Sequence, residues 1–242
     1  MQAASRVRGG KRSGHNSAMC GRYTLYGPQS RHREHFGTAE DFDLAPRYNI
    51  APSQSVPVVR QSSDGLRHFV MARWGLMPSW VKDPAELNHP INAKAETAAI
   101  KPMFRHAYRK SRVLVPADGF YEWKVIEGKK QPYLIRMRDE SPFGMAGLLE
   151  HWQGPESEVL TFAVLTTEPN TLMADIHNRM PVIVKPEDYG RWLDPGLSDV
   201  AELQKLVGPY PERFMEAYPV NRRVNSPAND GPELIEPRDA TI

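Results

Sequence analysis

Twenty-two prolines spread through 242 residues limit what this chain can fold into more than any other feature of its composition. Proline has no amide hydrogen and stops helices and central strands, so a helical bundle is excluded and many turns are implied. Between the prolines the chain alternates. Leu66, His68, Val70, Ala72 and Trp74 interleave with Arg67, Phe69, Met71 and Arg73, which is the period of a strand. Further short strands are expected over 112–116, 120–126, 131–136, 143–149, 159–166 and 181–184, with Glu127-Gly128 as a hairpin turn. Ile100, Met103, Phe104, Ala107 and Tyr108 follow a helical spacing, with Pro102 placed in a first turn that tolerates it. Pro186-Glu187-Asp188 and Ser198-Asp199 read as helix starts. The expected class is α+β: one strand-rich domain with a curved, mixed or antiparallel, barrel-like sheet and helices around it. At 40% apolar residues the chain can bury a substantial core.

Residues 1–18 contain almost no large apolar side chain and are expected to form a disordered extension. Their Arg-rich, acid-free composition faintly resembles an organelle presequence but lacks its amphipathicity, and these residues lack the apolar stretch of a secretory signal. The domain is expected to span 19–237, with a short tail over 238–242. No run approaches the roughly 18 apolar residues of a membrane helix. The net charge of +2 is unevenly placed: Arg6, Arg8, Lys11 and Arg12 supply +4, leaving 27 basic against 29 acidic residues from Cys20 onward. Any site for an anion is therefore a local cluster of cations. His32-Arg33-Glu34 matches the first part of a zinc deaminase signature, yet no cysteine pair exists to complete it, so it reads as a solvated helix near Phe36. No phosphate loop, nucleophile elbow or paired metal-ligand histidines stand out.

Cys20 is the single cysteine, which excludes an internal disulfide framework and a multi-cysteine metal site. An isolated cysteine is commonly a small buried hydrophobe. Here it directly follows Met19. If translation starts there, removal of the methionine leaves cysteine at the terminus, with an amine and a thiol on adjacent carbons. Such a pair condenses with an aldehyde, first to an imine and then to a five-membered thiazolidine ring. The α-amino pKa near 8 leaves a useful neutral fraction. Glu122 lies in Gly119-Phe120-Tyr121-Glu122-Trp123, where a carboxylate either faces water or is buried with a raised pKa suited to proton transfer. His177 belongs to a polar loop before a strand and reads as a surface histidine or as an acid–base group. Asn92 could cap the helix that follows it.

These segments together resemble the SRAP family, the SOS-response-associated peptidase domain of abasic-site-processing proteins. The resemblance rests on Met19 to Tyr23, Arg47-Tyr48-Asn49-Ile50-Ala51-Pro52, Arg73 to Trp80, Asn92 to Thr97 and Ala117 to Trp123. It continues through Lys130-Gln131-Pro132, Ile176 to Pro181 and Gly231 to Ile235, in family order. It implies an abasic-site sensor whose terminal Cys20 crosslinks to the ring-opened sugar in single-stranded DNA, without a cofactor or metal. Lyase cleavage and removal of the residues before Cys20 by the domain itself are also implied. Asn92 would orient the reactants, Glu122 would shuttle a proton, and His177 would assist ring opening and reversal.

For the DNA, Arg22, Lys94, Arg105 and Arg179 are the candidate phosphate contacts, and Asn49 is a further polar one. Trp74, Met103, Phe104 and Trp123 offer surfaces for stacking or wedging, with core packing as the alternative for at least one tryptophan. Lys94 stands where the family commonly has arginine, so it keeps charge but loses the planar fork. The implied setting is a monomer in the cytoplasm at the nucleoid if bacterial, and in the nucleus otherwise. Two other readings use the same residues: an N-terminal-nucleophile peptidase or amidase, and a noncatalytic single-strand binding module in which Cys20 merely packs.

Overall fold

The structure is a computed structural model describing residues 21–83, 88–155 and 157–239. Cys20 and the expected extension lie outside the described residues. In chain order the elements begin with β1 (Tyr23–Leu25), α1 (Gln29–Phe36), β2 (Arg47–Ile50), β3 (Ser55–Gln61), β4 (Arg67–Trp74) and β5 (Asn92–Lys94). Next come α2 (Ala95–Ala98), α3 (Arg105–Lys110), β6 (Arg112–Ala117), β7 (Gly119–Ile126), β8 (Lys129–Met137), β9 (Phe143–Gln153) and β10 (Glu158–Thr167). The chain finishes with α4 (Thr171–Ala174), β11 (Met180–Pro181), β12 (Ile183–Val184), α5 (Tyr189–Leu193), α6 (Val200–Gln204) and β13 (Met215–Pro219).

Strands β10, β4, β3, β6 and β9 pair in that order, and β9 pairs back onto β10, closing a five-stranded barrel. All its pairings are antiparallel except β10 with β4. A second, antiparallel sheet runs β13-β8-β7-β1-β2. Alternation sorts the side chains. Val56, Val58, Trp74, Val113, Val115 and Phe162 share one core with Tyr23, Phe120 and Ile135 of the second sheet. Leu114, Ala146, Leu148, Ala163 and Leu165 point the other way, onto Ala98, Tyr108 and Trp192 of the surrounding helices. The expected strand-rich α+β domain, barrel-like and flanked by helices, is the fold observed. Among the described residues no helix is long and apolar enough to cross a membrane.

The hairpin turn is as expected: Ile126 pairs with Lys129, and Glu127 and Gly128 take φ of 48° and 77°, the two left-handed positions of a type I′ turn. Asp199 caps α6 by accepting from the Ala201 amide. Two local expectations are corrected. The helix expected from Ile100 starts only at Arg105; Ile100 is exposed in the preceding turns, while Phe104, Ala107 and Tyr108 do face the core. The helix carrying His32 is solvated on one face, but His32 itself is fully buried, like Phe36 one turn on. Its Nε2 lies 3.2 Å from Asp118, whose other oxygen accepts the Tyr26 and Gly27 amides. His32 thus ties α1 to the β6–β7 corner.

Prolines also enter strands, where each site excuses the missing donor. Pro57 sits in the part of β3 that pairs only with β4, the β6 contact falling at Val59. Pro132 lies one residue past the last β8–β13 pair, opposite Val220. Val220 donates its amide to the Pro132 carbonyl at 3.0 Å, but proline cannot return the bond. The neighbouring Gln131 does so instead: its Nε2 donates to Val220 O at 2.9 Å and to Pro132 O at 3.0 Å. That explains physically why Gln131 precedes Pro132. Replacing Gln131 with Leu is expected to destabilise the protein by about 1–3 kcal/mol in urea unfolding, because a buried carbonyl loses its donor. The loss should shrink in a Pro132→Ala background, where the backbone amide returns.

Candidate functional site

The site is built where the second sheet meets the open end of β10. In β7, Phe120 and Glu122 face the core shared with the barrel, whereas Tyr121 and Trp123 face Val220, Val224 and Leu234 on the opposite side. Glu122 is 2% exposed. It is buried, not water-facing. Tyr23 pairs with Phe120, and the Tyr121 amide donates to Arg22 O. Continuing this antiparallel register brings Gly21 opposite Glu122.

Across from it, β5 runs parallel to β10, with Asn92 opposite Val164 and Lys94 opposite Thr166. Asn92 does not cap α2: the N-cap position is Lys94, and no side chain fills it. Arg179 reaches the same end of β10, donating from Nη2 to Thr166 O at 2.5 Å. It also grips Glu96 bidentately, at 2.6 and 2.8 Å. Arg179's hydrogen bonds hold the Glu96 carboxyl below its ordinary range. The Arg179 amide donates to His177 Nδ1 at 3.2 Å. The same Nδ1 lies 3.3 Å from Arg179 O, so the Arg179 backbone holds the ring. Asn92, Lys94, Arg179 and His177 therefore gather around one strand end. Glu96 was not among the residues singled out from the sequence; it lay inside the Asn92–Thr97 motif, but its partner is 83 positions away.

The two sides are joined through Trp74. Tyr23 meets its indole edge-on at 5.4 Å, and the indole Nε1 donates to Ile91 O at 2.9 Å, immediately before Asn92. Trp74 is 1% exposed, so core packing, not stacking on a ligand, is its place. Phe104, at 7%, likewise packs against the helices, while Met103 is half-buried beside it. Asn49 is fully buried. Its Nδ2 donates to the Val224, Ser226 and Asn229 carbonyls at 2.8–3.1 Å, and its Oδ1 accepts from Arg22 at 2.9 Å. Arg22 also binds Val224 O and Asn225 O, and Trp123 Nε1 binds Asn225 Oδ1 at 2.8 Å. Partial burial lowers the Arg22 pKa. Arg22, Asn49 and Trp123 thus clamp residues 224–229 over the outer face of the second sheet. Asn49 and Trp74 are therefore corrected from ligand contacts to supports, since neither reaches the surface. Lys94 and Arg105 are exposed.

Known proteins give the same arrangement a family. Residues 19–227 match the family described as SOS response associated peptidase (SRAP). The chain is 43% identical over 223 residues to the abasic site processing protein YoqW of Bacillus subtilis (strain 168), covering 90% of this chain and 99% of that one. It is 34% identical over 233 residues to the abasic site processing protein YedK of Escherichia coli (strain K12), covering 90% and 100%. A crystal structure of a protein from Bacteroides thetaiotaomicron superposes with a TM-score of 0.81 at 29% identity, covering 90% of this chain and all of that one. The chain belongs to the SRAP family, whose relatives here are named for processing abasic sites.

Glu96 is expected to set the orientation of the His177 loop through Arg179. With a depressed folded pKa, its contribution is present above the ordinary carboxylate pKa and is lost as pH falls through the folded value. Glu96→Gln should shift the His177 ring signals in NMR at neutral pH. The same substitution should change stability by no more than about 1 kcal/mol, since the Glu96 end of the pair is about half exposed.

Proposed function

We propose that this protein recognises abasic sites in single-stranded DNA and crosslinks to them through Cys20, once Cys20 is the terminal residue. The observation that carries this reading is the register of β1 on β7. Continued past Tyr23, that register brings Gly21 opposite Glu122, whose side chain is buried. The α-amine of Cys20 attacks C1′ of the ring-opened sugar, and water leaves as an imine forms. The thiol then adds to the imine carbon and the nitrogen takes up a proton, closing the thiazolidine with net loss of one water.

Both steps need proton transfer at neutral pH. Glu122 is the group for the amine and the departing hydroxyl. His177, held by the Arg179 backbone through Nδ1, is the acid for opening the furanose and for reversal. Asn92 orients the aldehyde. Lys94 and Arg105 meet phosphates, with Arg22 and Arg179 at the rim, and Met103 supplies apolar contact beside the lesion. Lyase cleavage follows if the imine acidifies C2′ and the 3′ phosphate is eliminated before ring closure. Cleavage before Cys20 would release the amine that the chemistry requires.

The decisive experiment is a denaturing gel of the protein incubated with single-stranded DNA carrying one abasic site. A heat-stable adduct should form and vanish in Cys20→Ala, and intact mass should show Cys20 as first residue. Adduct formation by protein retaining Met1 would overturn the mechanism. Binding without an adduct would favour the noncatalytic module, and release of peptide products the peptidase. Glu122→Gln is expected to slow crosslinking by about 10²–10⁴-fold, and His177→Ala to slow mainly ring opening and reversal, both followed as single-turnover time courses.

A further inference from the structure

A second cleft, about 580 Å³, lies on the helical side of the barrel and is lined by Ser79, Trp80, Pro102, Arg105, His106 and Glu150. Its unusual member is Glu150, in β9, whose side chain is 7% exposed. A carboxylate offers about four acceptor positions and is costly to bury without donors. The donors around Glu150 come from Ser79, through amide and hydroxyl, and from His106. The Ser79 amide is 3.4 Å from Oε2, and His106 Nδ1 is 3.7 Å from Oε1. Thr161, its neighbour across the β9–β10 ladder, spends its hydroxyl on Met77. Burial raises the carboxyl pKa, outweighing the hydrogen bonds from Ser79 and His106 that lower it. Facing the same cleft, Trp80 is 62% exposed, although a tryptophan is normally the side chain a core claims first.

We propose that this cleft is a nucleobase subsite, which takes a base of the bound DNA strand bearing an exocyclic amino group in preference to thymine. The inference rests on the single-strand reading above. The indole and Pro102 present apolar surface to a base, and Glu150 accepts from its edge. Guanine, cytosine and adenine all present amino donors. Thymine has one ring N–H, flanked by two carbonyl oxygens that repel a carboxylate. Arg105, exposed at the cleft, supplies the phosphate contact.

The distances suit a continuous strand. Along β10, Glu150 is opposite Thr161 and Asn92 opposite Val164. That is about 10 Å along β10 at a strand rise of ~3.3 Å and two strand spacings of ~4.8 Å across it, so the two backbones stand about 14 Å apart, or about four bases at a stacked spacing of ~3.4 Å. The chain itself traces the path from one place to the other through α2, with Lys94, Lys101 and Arg105 exposed along it. Recognition by this family reading tolerates sequence through phosphate and stacking contacts, so a carboxylate acceptor at one position adds a preference those contacts do not supply.

The test uses fluorescence anisotropy with oligothymidine carrying a tetrahydrofuran abasic analogue, which binds without crosslinking. A single dG, dC or dA is moved through the positions on either side. At one position the amino-bearing bases should bind about tenfold more tightly than dT, the scale of one good edge contact. Glu150→Gln should bring the four bases within about twofold of one another, and Trp80→Ala should weaken all four at that position. Thermal unfolding shows whether each variant keeps its fold, and Trp80, on the surface, provides the second arm should Glu150→Gln not fold. Equal affinities at every position in the wild type, a preference that survives Glu150→Gln, or affinities left unchanged by Trp80→Ala would overturn the proposal. Crosslinking to a true abasic site without any base preference sinks the subsite alone. A base preference without crosslinking sinks the thiazolidine reading and leaves the subsite standing.

Discussion

Trp74 holds the two halves of this molecule in register. It sits in the barrel, stacks on Phe162 with planes 8° apart, receives the edge of Tyr23 from the second sheet and donates its indole hydrogen to Ile91. One fully buried side chain thus sets where β1 and β7 stand relative to β5. Truncating such a residue typically costs about 3–5 kcal/mol. The larger consequence here is geometric: the carboxyl of Glu122 and the amide of Asn92 are carried by different sheets, and Trp74 is a shared reference for both. A packing residue next to a site can matter as much as a reacting one.

The outer face of the second sheet is finished by the C-terminal segment. Asn49 and Arg22 saturate the carbonyls of 224–229, and Asp230 accepts the Tyr48 and Asn49 amides and pairs with Arg47. Arg22 is thereby held in a region where burial disfavours its charge, balanced by carbonyl acceptors. The same segment meets β8 through the Gln131 side chain that replaces the amide Pro132 lacks. Residues near both ends of the described chain are therefore built into one wall beside the site, although they are some 200 positions apart.

Much of the fold was legible in local pattern. The strands β4 and β6 to β10 follow from alternating or continuous apolar runs, and the type I′ turn from Glu127-Gly128. Strands β1, β2, β5 and β13 were not legible, being short and held by partners far along the chain. Strand β3 was obscured by Pro57, tolerated because that stretch pairs on one side only. The site divides the same way. Glu122 stands out in an apolar strand, and the order of motifs identifies the family, but spacing could not say that Asn49 is consumed by the C-terminal segment. Nor could it pair Glu96 with Arg179, or show the buried carboxyl of Glu150 beside an exposed tryptophan.

Residue types and their order by themselves determined the family, the strand-rich class, a slight excess of acids over bases from Cys20 onward, and one cysteine behind one methionine. Those are properties of composition and short-range period, which act within a few residues. The tertiary structure decided which polar groups are spent on holding the chain and which face outward. Arg179 grips Glu96, Arg22 and Asn49 grip backbone, and Lys94 and Arg105 stay exposed. The reason is that hydrogen bonding and desolvation depend on neighbours in space, and closing a barrel brings together side chains that the sequence keeps far apart.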